Sequence, residues 1–327
     1  MSTDSWDDRC QAAFADHELE SPPSLLYHYT SPSNFLRIVN TGCLSATHVR
    51  YMDDPLEVSY GRAILNDALR QATPGWKVEE YENFKRQLLF MSQTDASMIT
   101  PVYAVCFSTE DNDMSQWDRY GGRGSGFAVG FDGNELWKMK KVGGTFGDNA
   151  LIMPVVYDET EQYRQLMEVL RPTVRLWEEA NEVTSEDERA NRKSTLTHYA
   201  SWFIMKALCT FKHPGFNAEN EWRLVYTKGT HVLEADLDAE FRDGKGGLVP
   251  FVRLAPTEDA PLPLRRVVCG PRSSTMETRV AAMAVLRKKK YWAVVDEYAD
   301  AAQAFIKDPR TPVRVALSSL AGTRSMR

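Results

Sequence analysis

Short apolar segments with strand-like character recur along the chain, but single helices do not separate them at regular intervals. They lie at about 24–30, 101–108, 127–131, 151–157, 221–227, 249–254, 265–269 and 312–316. A doubly wound parallel sheet requires strands and helices to alternate, so this spacing argues against that fold. It predicts an α+β domain in which a mixed, mainly antiparallel sheet is flanked by helices.

Helical periodicity dominates residues 160–211, with polar breaks near 181–187, and predicts a long helical insertion. Further helices are predicted at about 32–41, 55–71, 76–94, 114–120 and 274–289. No internal repeat or low-complexity linker divides the chain. We therefore expect one α+β domain over residues 24–318, with an N-terminal lead-in at 1–23 and a C-terminal tail at 319–327.

The charge and the cysteines exclude several classes of protein. A net charge of −6 disfavours broad, non-specific binding to nucleic acid, although it permits a local basic groove. The five cysteines include no CxxC pair, which argues against a zinc ribbon and suits a reducing compartment. The N-terminus lacks the features of a signal peptide, and no run approaches the ~20 apolar residues of a membrane span. We expect a cytoplasmic protein with no membrane partner.

The segment that begins at Glu221 is predicted to be a β-strand, in which successive side chains point to opposite faces of the sheet. Trp222, Leu224 and Tyr226 share the face expected to meet the core. Glu221 and Arg223 share the other face. Two interpretations stay open for this charged pair: an edge strand with an ion pair facing solvent, or a carboxylate positioned in a cleft by a cation.

A second candidate segment ends in His28-Tyr29-Thr30. In a strand, His28 and Thr30 share a face with Leu26, whereas Tyr27 and Tyr29 take the other. A single histidine in a strand is more often structural than catalytic. The position of Thr30 at a strand-to-helix junction favours a site, because functional residues concentrate at strand ends and in the loops that follow.

Trp117 and Tyr120 form the third segment, since residues three apart share one face of a short helix. They predict either core packing or an aromatic platform for a planar ligand. The nearby glycine loop at 121–126 precedes its strand, whereas a dinucleotide fingerprint follows one and opens a helix. That loop is therefore not read as a nucleotide-binding motif.

A metal site is a further alternative, because Asp53, Asp54 and Glu57 lie close to His48 in sequence. A helix cap explains the same residues, with Asp54 as the N-cap, Pro55 as the first helical residue and Glu57 as the third. We favour the cap and expect no metal.

Five short motifs, in this order and spacing, resemble DUF2971, a mostly bacterial family of unknown function. They are Leu26–Thr30; Asp53–Glu57; Cys106–Ser108 with Trp117–Tyr120 and Gly126–Phe131; Lys212–Pro214 with Glu221–Arg223; and Val268–Pro271. The family usually has Asn where this chain has Asp53. Membership of this family implies no particular reaction.

The strand ending in His28-Tyr29-Thr30 and the residues at 33–44 also resemble the opening of nucleic-acid-modifying ADP-ribosyltransferases and RNA phosphotransferases. Those folds carry a polar triplet on the first strand, aromatic residues midway and a glutamate on a late strand. The resemblance implies an ADP-ribosyltransferase-like fold, NAD as the substrate, and His28, Tyr120 and Glu221 as catalytic residues.

The resemblance also implies a role for each residue. Glu221 would stabilise the oxocarbenium-like transition state of NAD cleavage. His28 and Thr30 would hold the adenosine-side ribose and the nicotinamide end, and Tyr120 or Trp117 would stack on the nicotinamide ring. The other residues expected to bind NAD or the target are Tyr29, Ser108, Glu219 and, as candidates to face the pyrophosphate, Arg119, Lys212 and Arg223.

The leading hypothesis is therefore a NAD-dependent ADP-ribosyltransferase of the bacterial defence, toxin or effector type, with a nucleic acid or protein target. One alternative is a nucleotide-binding sensor or regulatory module without activity. Another is a metal-dependent nuclease that uses Asp53, Asp54 and Glu57. The transferase hypothesis fails if His28 and Glu221 lie on distant faces of the domain.

Overall fold

The computed structural model describes residues 5–14, 20–52, 56–91, 102–143, 150–227, 239–244, 247–256, 260–305 and 310–321. Asp53, Asp54, Pro55 and the side chain of Glu57 lie outside the described part, so the predicted capping box and metal alternative are not tested by it.

Within the described residues, twelve strands form one sheet. They are β1 (Leu25–Thr30), β2 (Leu44–His48), β3 (Val102–Ser108), β4 (Phe127–Asp132), β5 (Lys140–Lys141), β6 (Ala150–Pro154), β7 (Glu221–Thr227), β8 (Glu240–Gly244), β9 (Gly247–Ala255), β10 (Leu264–Cys269), β11 (Ala293–Val295) and β12 (Val313–Leu317). Strands β2, β5, β8 and β11 were not predicted from the sequence, because they are short or carry polar residues.

Ten α-helices lie in the same part of the chain. They are α1 (Trp6–Ala13), α2 (Pro32–Thr41), α3 (Leu56–Ala72), α4 (Val78–Met91), α5 (Met114–Arg119), α6 (Gly133–Leu136), α7 (Glu159–Asn181), α8 (Glu186–Thr210), α9 (Met276–Lys288) and α10 (Ala299–Phe305). The predicted break near 181–187 is confirmed, because α7 ends at Asn181 and α8 begins at Glu186.

The sheet has the order β11-β12-β10-β4-β1-β3-β2-β9-β5, with β7 joined to β3 and β6, and β8 joined to β9. The β10–β12 and β11–β12 pairs are parallel, and the remaining pairs are antiparallel. The predicted mixed, mainly antiparallel sheet flanked by helices is confirmed. Because β7 has a neighbour on each side, its interpretation as an edge strand is wrong.

The link from β1 into α2 follows directly from local sequence. The Ser31 side chain accepts a hydrogen bond from the Asn34 N–H, and Pro32 occupies the first helical position, where no backbone donor is needed. Gly42 ends the helix with φ 67°, a left-handed conformation that glycine adopts without steric penalty. These caps fix where α2 starts beside the end of β1.

The two largest hydrophobic cores of the described residues form on different elements. One contains the inward faces of the sheet, including Leu26, Phe107, Trp222 and Leu224. The other lies among α1, α3, α4, α7 and α8, with Leu69, Phe84, Trp177 and Ile204 among its members. The helical region therefore extends beyond the insertion expected at 160–211, because α1, α3 and α4 share its core.

The length and hydropathy of the described helices give no candidate for a membrane-crossing segment.

Candidate functional site

The sheet opens between β1 and β2, which border the same edge of β3 at different positions. β1 pairs with β3 at Tyr27–Ser108, and β2 pairs with β3 at Thr47–Ala104 and the adjacent position. Among the described strands, neither β1 nor β2 pairs with residues 105–107 along this edge of β3. A cavity of about 500 Å³ lies at this opening.

The opening gathers residues that are far apart in sequence. All but one of the residues proposed for the NAD site line the cavity: His28, Tyr29, Thr30, Ser108, Arg119, Tyr120, Lys212, Glu219, Glu221 and Arg223. They come from β1, β3, the end of α5, β7 and the segment that leads into β7. The three polar segments recognised in the sequence thus meet at one place.

Trp117 is the exception, and its proposed stacking on a ligand is wrong. The side chain is fully buried, and its ring packs edge-on against Tyr29 with centroids 4.8 Å apart. Its indole N–H donates to Asn112 Oδ1 over 2.9 Å. Trp117 does not line the cavity at the sheet opening. It instead packs against Tyr29, which does line the cavity.

A chain of five alternating charges crosses one end of the cavity. Arg119 Nη1 lies 2.6 Å from Glu219 Oε1, and Lys212 Nζ lies 2.6 Å from Glu219 Oε2. Lys212 Nζ also contacts Glu221 Oε2 at 2.9 Å, and Arg223 Nε contacts Glu221 Oε1 at 2.7 Å. Four members are almost inaccessible, with exposed fractions of 2–6%, which rules out the solvent-facing ion pair considered from sequence.

The turn between Glu219 and Glu221 explains how two carboxylates reach one ammonium group. Asn220 has φ 43° and ψ 50°, a left-handed conformation that asparagine tolerates better than most residues. Ser108 Oγ donates to the carbonyl of Glu219, and the Glu221 N–H donates to the hydroxyl of Tyr157. The reversal at Asn220 therefore holds both glutamates against Lys212.

The environment of Glu221 keeps it ionised. Burial alone raises the pKa of a carboxyl group, but Arg223 and then Lys212 outweigh it and lower the pKa of Glu221 to about 2. The Arg223 guanidinium donates from both Nε and Nη2 to this carboxylate, and its Nη1 donates to the carbonyl of Cys209. Glu221 is thus a fixed negative charge and a poor proton acceptor at neutral pH.

The environment of His28, in contrast, keeps its side chain neutral. Its Nδ1 lies 2.9 Å from the carbonyl oxygen of Cys106. A carbonyl can only accept, so Nδ1 carries the proton and Nε2 is the acceptor in the neutral ring. Burial lowers the pKa of His28, and the charges of Arg242 and Arg37 lower it further against the effect of the Cys106 bond. The site therefore holds a neutral imidazole.

Strand register places His28 and Glu221 on opposite sides of the sheet. Tyr27, Ser108 and Glu221 are paired across β1, β3 and β7, so they share one face, while His28 projects to the other beside Phe107. Both residues line the cavity because the opening between β1 and β2 interrupts the sheet. A ligand in contact with both would have to extend through the opening.

The structure adds two charged cavity residues that were not proposed from the sequence, Arg37 and Arg242. Arg37 lies on the α2 face that also carries Ser31 and Asn34, at a spacing of three residues. This spacing was a usable signal once α2 was known to follow the polar end of β1. Arg242 lies on β8, a strand that was not predicted, so nothing local marked it.

His48, proposed as a metal ligand, has a structural environment. Its side chain is 1% exposed, and its Nδ1 accepts a hydrogen bond from the Arg50 N–H. The ring packs edge-on against Tyr51 and Tyr103. The residues that the structure describes contain no group of three histidine, cysteine, aspartate or glutamate side chains suited to a metal ion.

The comparison with protein families reaches part of this site. A family model described as "Protein of unknown function (DUF2971)" matches residues 116–224, from α5 into β7. The resemblance to DUF2971 is thus confirmed over that segment, which contains the whole charge chain from Arg119 to Arg223. No curated protein and no solved structure gives a significant match. The likeness to ADP-ribosyltransferases gains no support from relatives.

Proposed function

We propose that the cavity at the sheet opening binds NAD and that the protein is an ADP-ribosyltransferase with an ADP-ribosyltransferase-like fold. The observation that carries this proposal is the placement of Glu221, His28 and Tyr120 around one cavity, although they come from three separated segments. The target would be a nucleic acid or a protein, in a bacterial defence, toxin or effector role.

The chemistry follows from the fixed charge of Glu221. The bond between C1′ of the ribose and the nicotinamide nitrogen breaks, and its electron pair leaves with neutral nicotinamide. Positive charge then develops at C1′ and the ring oxygen, where an ionised carboxylate stabilises it. A nucleophile on the target forms the new bond to C1′ and releases its proton. Because its pKa is about 2, Glu221 acts as a negative charge and does not take up that proton.

The neighbouring side chains have matching properties. Nε2 of neutral His28 is available to accept a hydrogen bond from a ribose hydroxyl, and Thr30 lies two residues along the same strand. Burial and then the charge of Glu219 raise the pKa of Tyr120 to about 12, so its phenol stays neutral. Tyr120 would stack on the nicotinamide ring, and Glu219 would orient the target nucleophile.

One observation favours a second candidate function, a nucleotide-binding module without activity. Both oxygens of Glu221 already accept hydrogen bonds from Lys212 or Arg223. A carboxylate with two cationic neighbours has part of its negative charge neutralised, which weakens its effect on a developing cation. A purely structural role for Glu221 would leave the cavity as a binding site alone.

Nicotinamide release from NAD tests the proposal, followed by transfer of labelled ADP-ribose to a cell lysate. We expect turnover by the native chain and a loss of about 100-fold or more in Glu221→Gln, the scale seen when a transition-state charge is left unstabilised. Glu168→Gln is the matched control, since Glu168 is a paired carboxylate on α7 away from the cavity. Circular dichroism and melting temperature establish that both variants fold.

The other outcomes separate the alternatives. A melting temperature that rises with NAD while NAD stays intact would favour the binding module. Nuclease activity that EDTA abolishes would favour the metal-dependent enzyme. Equal NAD turnover by the native chain and Glu221→Gln would contradict the role proposed for Glu221.

A further inference from the structure

The cavity carries an excess of positive charge in a protein that is negative overall. Among the described residues that line it, the charged side chains are Arg37, Arg119, Lys212, Arg223 and Arg242 against Glu219 and Glu221. The cations exceed the carboxylates by three, whereas the whole chain has a net charge of −6. Such a local reversal of sign concentrates anions in the cavity.

The excess of positive charge is not distributed evenly over the cavity. Arg119, Lys212 and Arg223 all contact the two carboxylates at the Glu221 end. None of the ion pairs seen among the described residues places a carboxylate on Arg37, and its buried Nε has no hydrogen-bond partner. A buried donor without a partner is unfavourable by itself, so its retention points to a ligand that accepts from it.

Arg242 is held in position near the same place. Its Nη2 donates to Thr47 Oγ1 over 2.5 Å, and its guanidinium carbon lies 5.5 Å from the centre of the Phe251 ring. Its charge and that of Arg37 both act on His28 and lower the pKa of that residue. The two guanidinium groups therefore lie around the His28 end of the cavity, away from the carboxylates.

We propose that Arg37 and Arg242 form the binding subsite for the phosphate groups of a nucleotide ligand. Guanidinium groups bind phosphate oxygens with paired, charge-assisted hydrogen bonds. The hydroxyls of Ser45 and Thr47 and the amide of Asn34 line the same cavity and add neutral polar groups. This subsite replaces the expectation that Arg223, Arg119 or Lys212 faces the pyrophosphate, because those cations contact Glu219 and Glu221.

The subsite also fixes the direction of the ligand, a step that rests on the proposed function. Phosphates would lie at the Arg37 and Arg242 end and the ribose carbon that becomes cationic would lie at the Glu221 end. Each end of the ligand then meets side chains of opposite charge. The reversed orientation would place phosphates against two buried carboxylates.

Calorimetric titration of the full chain with inorganic pyrophosphate and with ADP-ribose tests this subsite. We expect both probes to bind, and the dissociation constant of ADP-ribose to rise at least about tenfold in Arg37→Met and in Arg242→Met. Arg175→Met is the matched control, because it removes one exposed positive charge on α7 and leaves the cavity unchanged. Its affinity for ADP-ribose should equal that of the native chain.

A second set of variants guards against misfolding. Arg37→Lys and Arg242→Lys keep the charge but lose the paired geometry, so we expect intermediate affinities and a native melting temperature. Equal ADP-ribose affinity in all of these variants, or no binding of either probe to the native chain, would overturn the subsite.

These measurements also test the phosphate subsite and the proposed transferase activity independently. Binding of ADP-ribose that depends on Arg37 and Arg242, without NAD cleavage, supports the subsite and rejects the transferase. NAD cleavage whose KM is unchanged in both methionine variants supports the transferase and rejects the subsite.

Discussion

Two lysines six residues apart show how differently the helical core and the sheet opening accommodate charge. Lys206, near the end of α8, has its ammonium 4.3 Å from the centre of the Trp202 ring and 5.2 Å from that of Phe203. Burial lowers its pKa to about 8. Lys212, just after α8, lies between the carboxylates of Glu219 and Glu221 at 2.6 and 2.9 Å.

The two sites differ in what compensates the charge of the half-buried Lys206 and of the buried Lys212. At Lys206, aromatic faces supply a weak cation–π attraction, and part of the desolvation penalty remains, as the lowered pKa records. At Lys212, two carboxylates surround the ammonium, and two arginines complete the chain. A buried ion cluster is weak grounds for a gain in stability, because desolvation offsets most of the attraction. Its position on a cavity is better explained by function.

The largest expected effect is that of Lys212→Met. Removal of this cation leaves Glu219 and Glu221 facing each other in a buried site, and we expect a loss of about 3–5 kcal/mol in the free energy of unfolding. Urea denaturation at neutral pH measures it. A loss below about 1 kcal/mol, the value typical of an exposed ion pair, would contradict the strong coupling described at the sheet opening.

Acid should lower the free energy of unfolding through the same cluster of charges. The pKa of Glu221 is about 2 in the folded protein and 4.5 in its ordinary state. A depressed carboxyl pKa stabilises the fold above pH 4.5, and this contribution is lost as the pH falls toward 2. We expect a decrease of about 3 kcal/mol from this group alone. Urea denaturation at a series of pH values measures this decrease, which should be smaller by about 3 kcal/mol in Glu221→Gln.

The smallest effect should have the opposite sign. In Lys206→Met, an apolar side chain of similar length replaces the desolvated cation, so we expect a gain of about 1 kcal/mol in the free energy of unfolding at pH 7. Because the folded pKa is about 8, the gain should shrink as the pH rises above that value, where Lys206 loses its charge. A gain that is constant from pH 6 to 10 would show that packing, not charge, causes it.

Features encoded by neighbouring residues were predictable from the sequence. The predicted helix at 32–41 is α2 (Pro32–Thr41), and its caps depend on Ser31, Pro32 and Gly42, which act on their own helix. The alternation in β7 correctly assigned Trp222 to the core and Glu221 to the polar face. Both predictions rest on the fixed periods of helix and strand.

Features that depend on distant strands were not predictable in the same way. The opening in the sheet arises because β1 and β2 reach different positions on β3, and no local pattern records that pairing. Arg242 enters the cavity through the unpredicted strand β8. The spacing of Trp117 from Tyr120 left core packing and a ligand platform both open, and only the packing against Tyr29 decides in favour of the core.

A crystal structure of the protein with ADP-ribose tests the central claim most directly. We predict that the ligand occupies the cavity between β1 and β2, with its phosphates on Arg37 and Arg242 and its terminal ribose against Glu221. Density for ADP-ribose elsewhere, such as a second cavity lined by Arg164, Glu168 and Lys206, would contradict the account. So would phosphates in contact with Lys212 and Arg223.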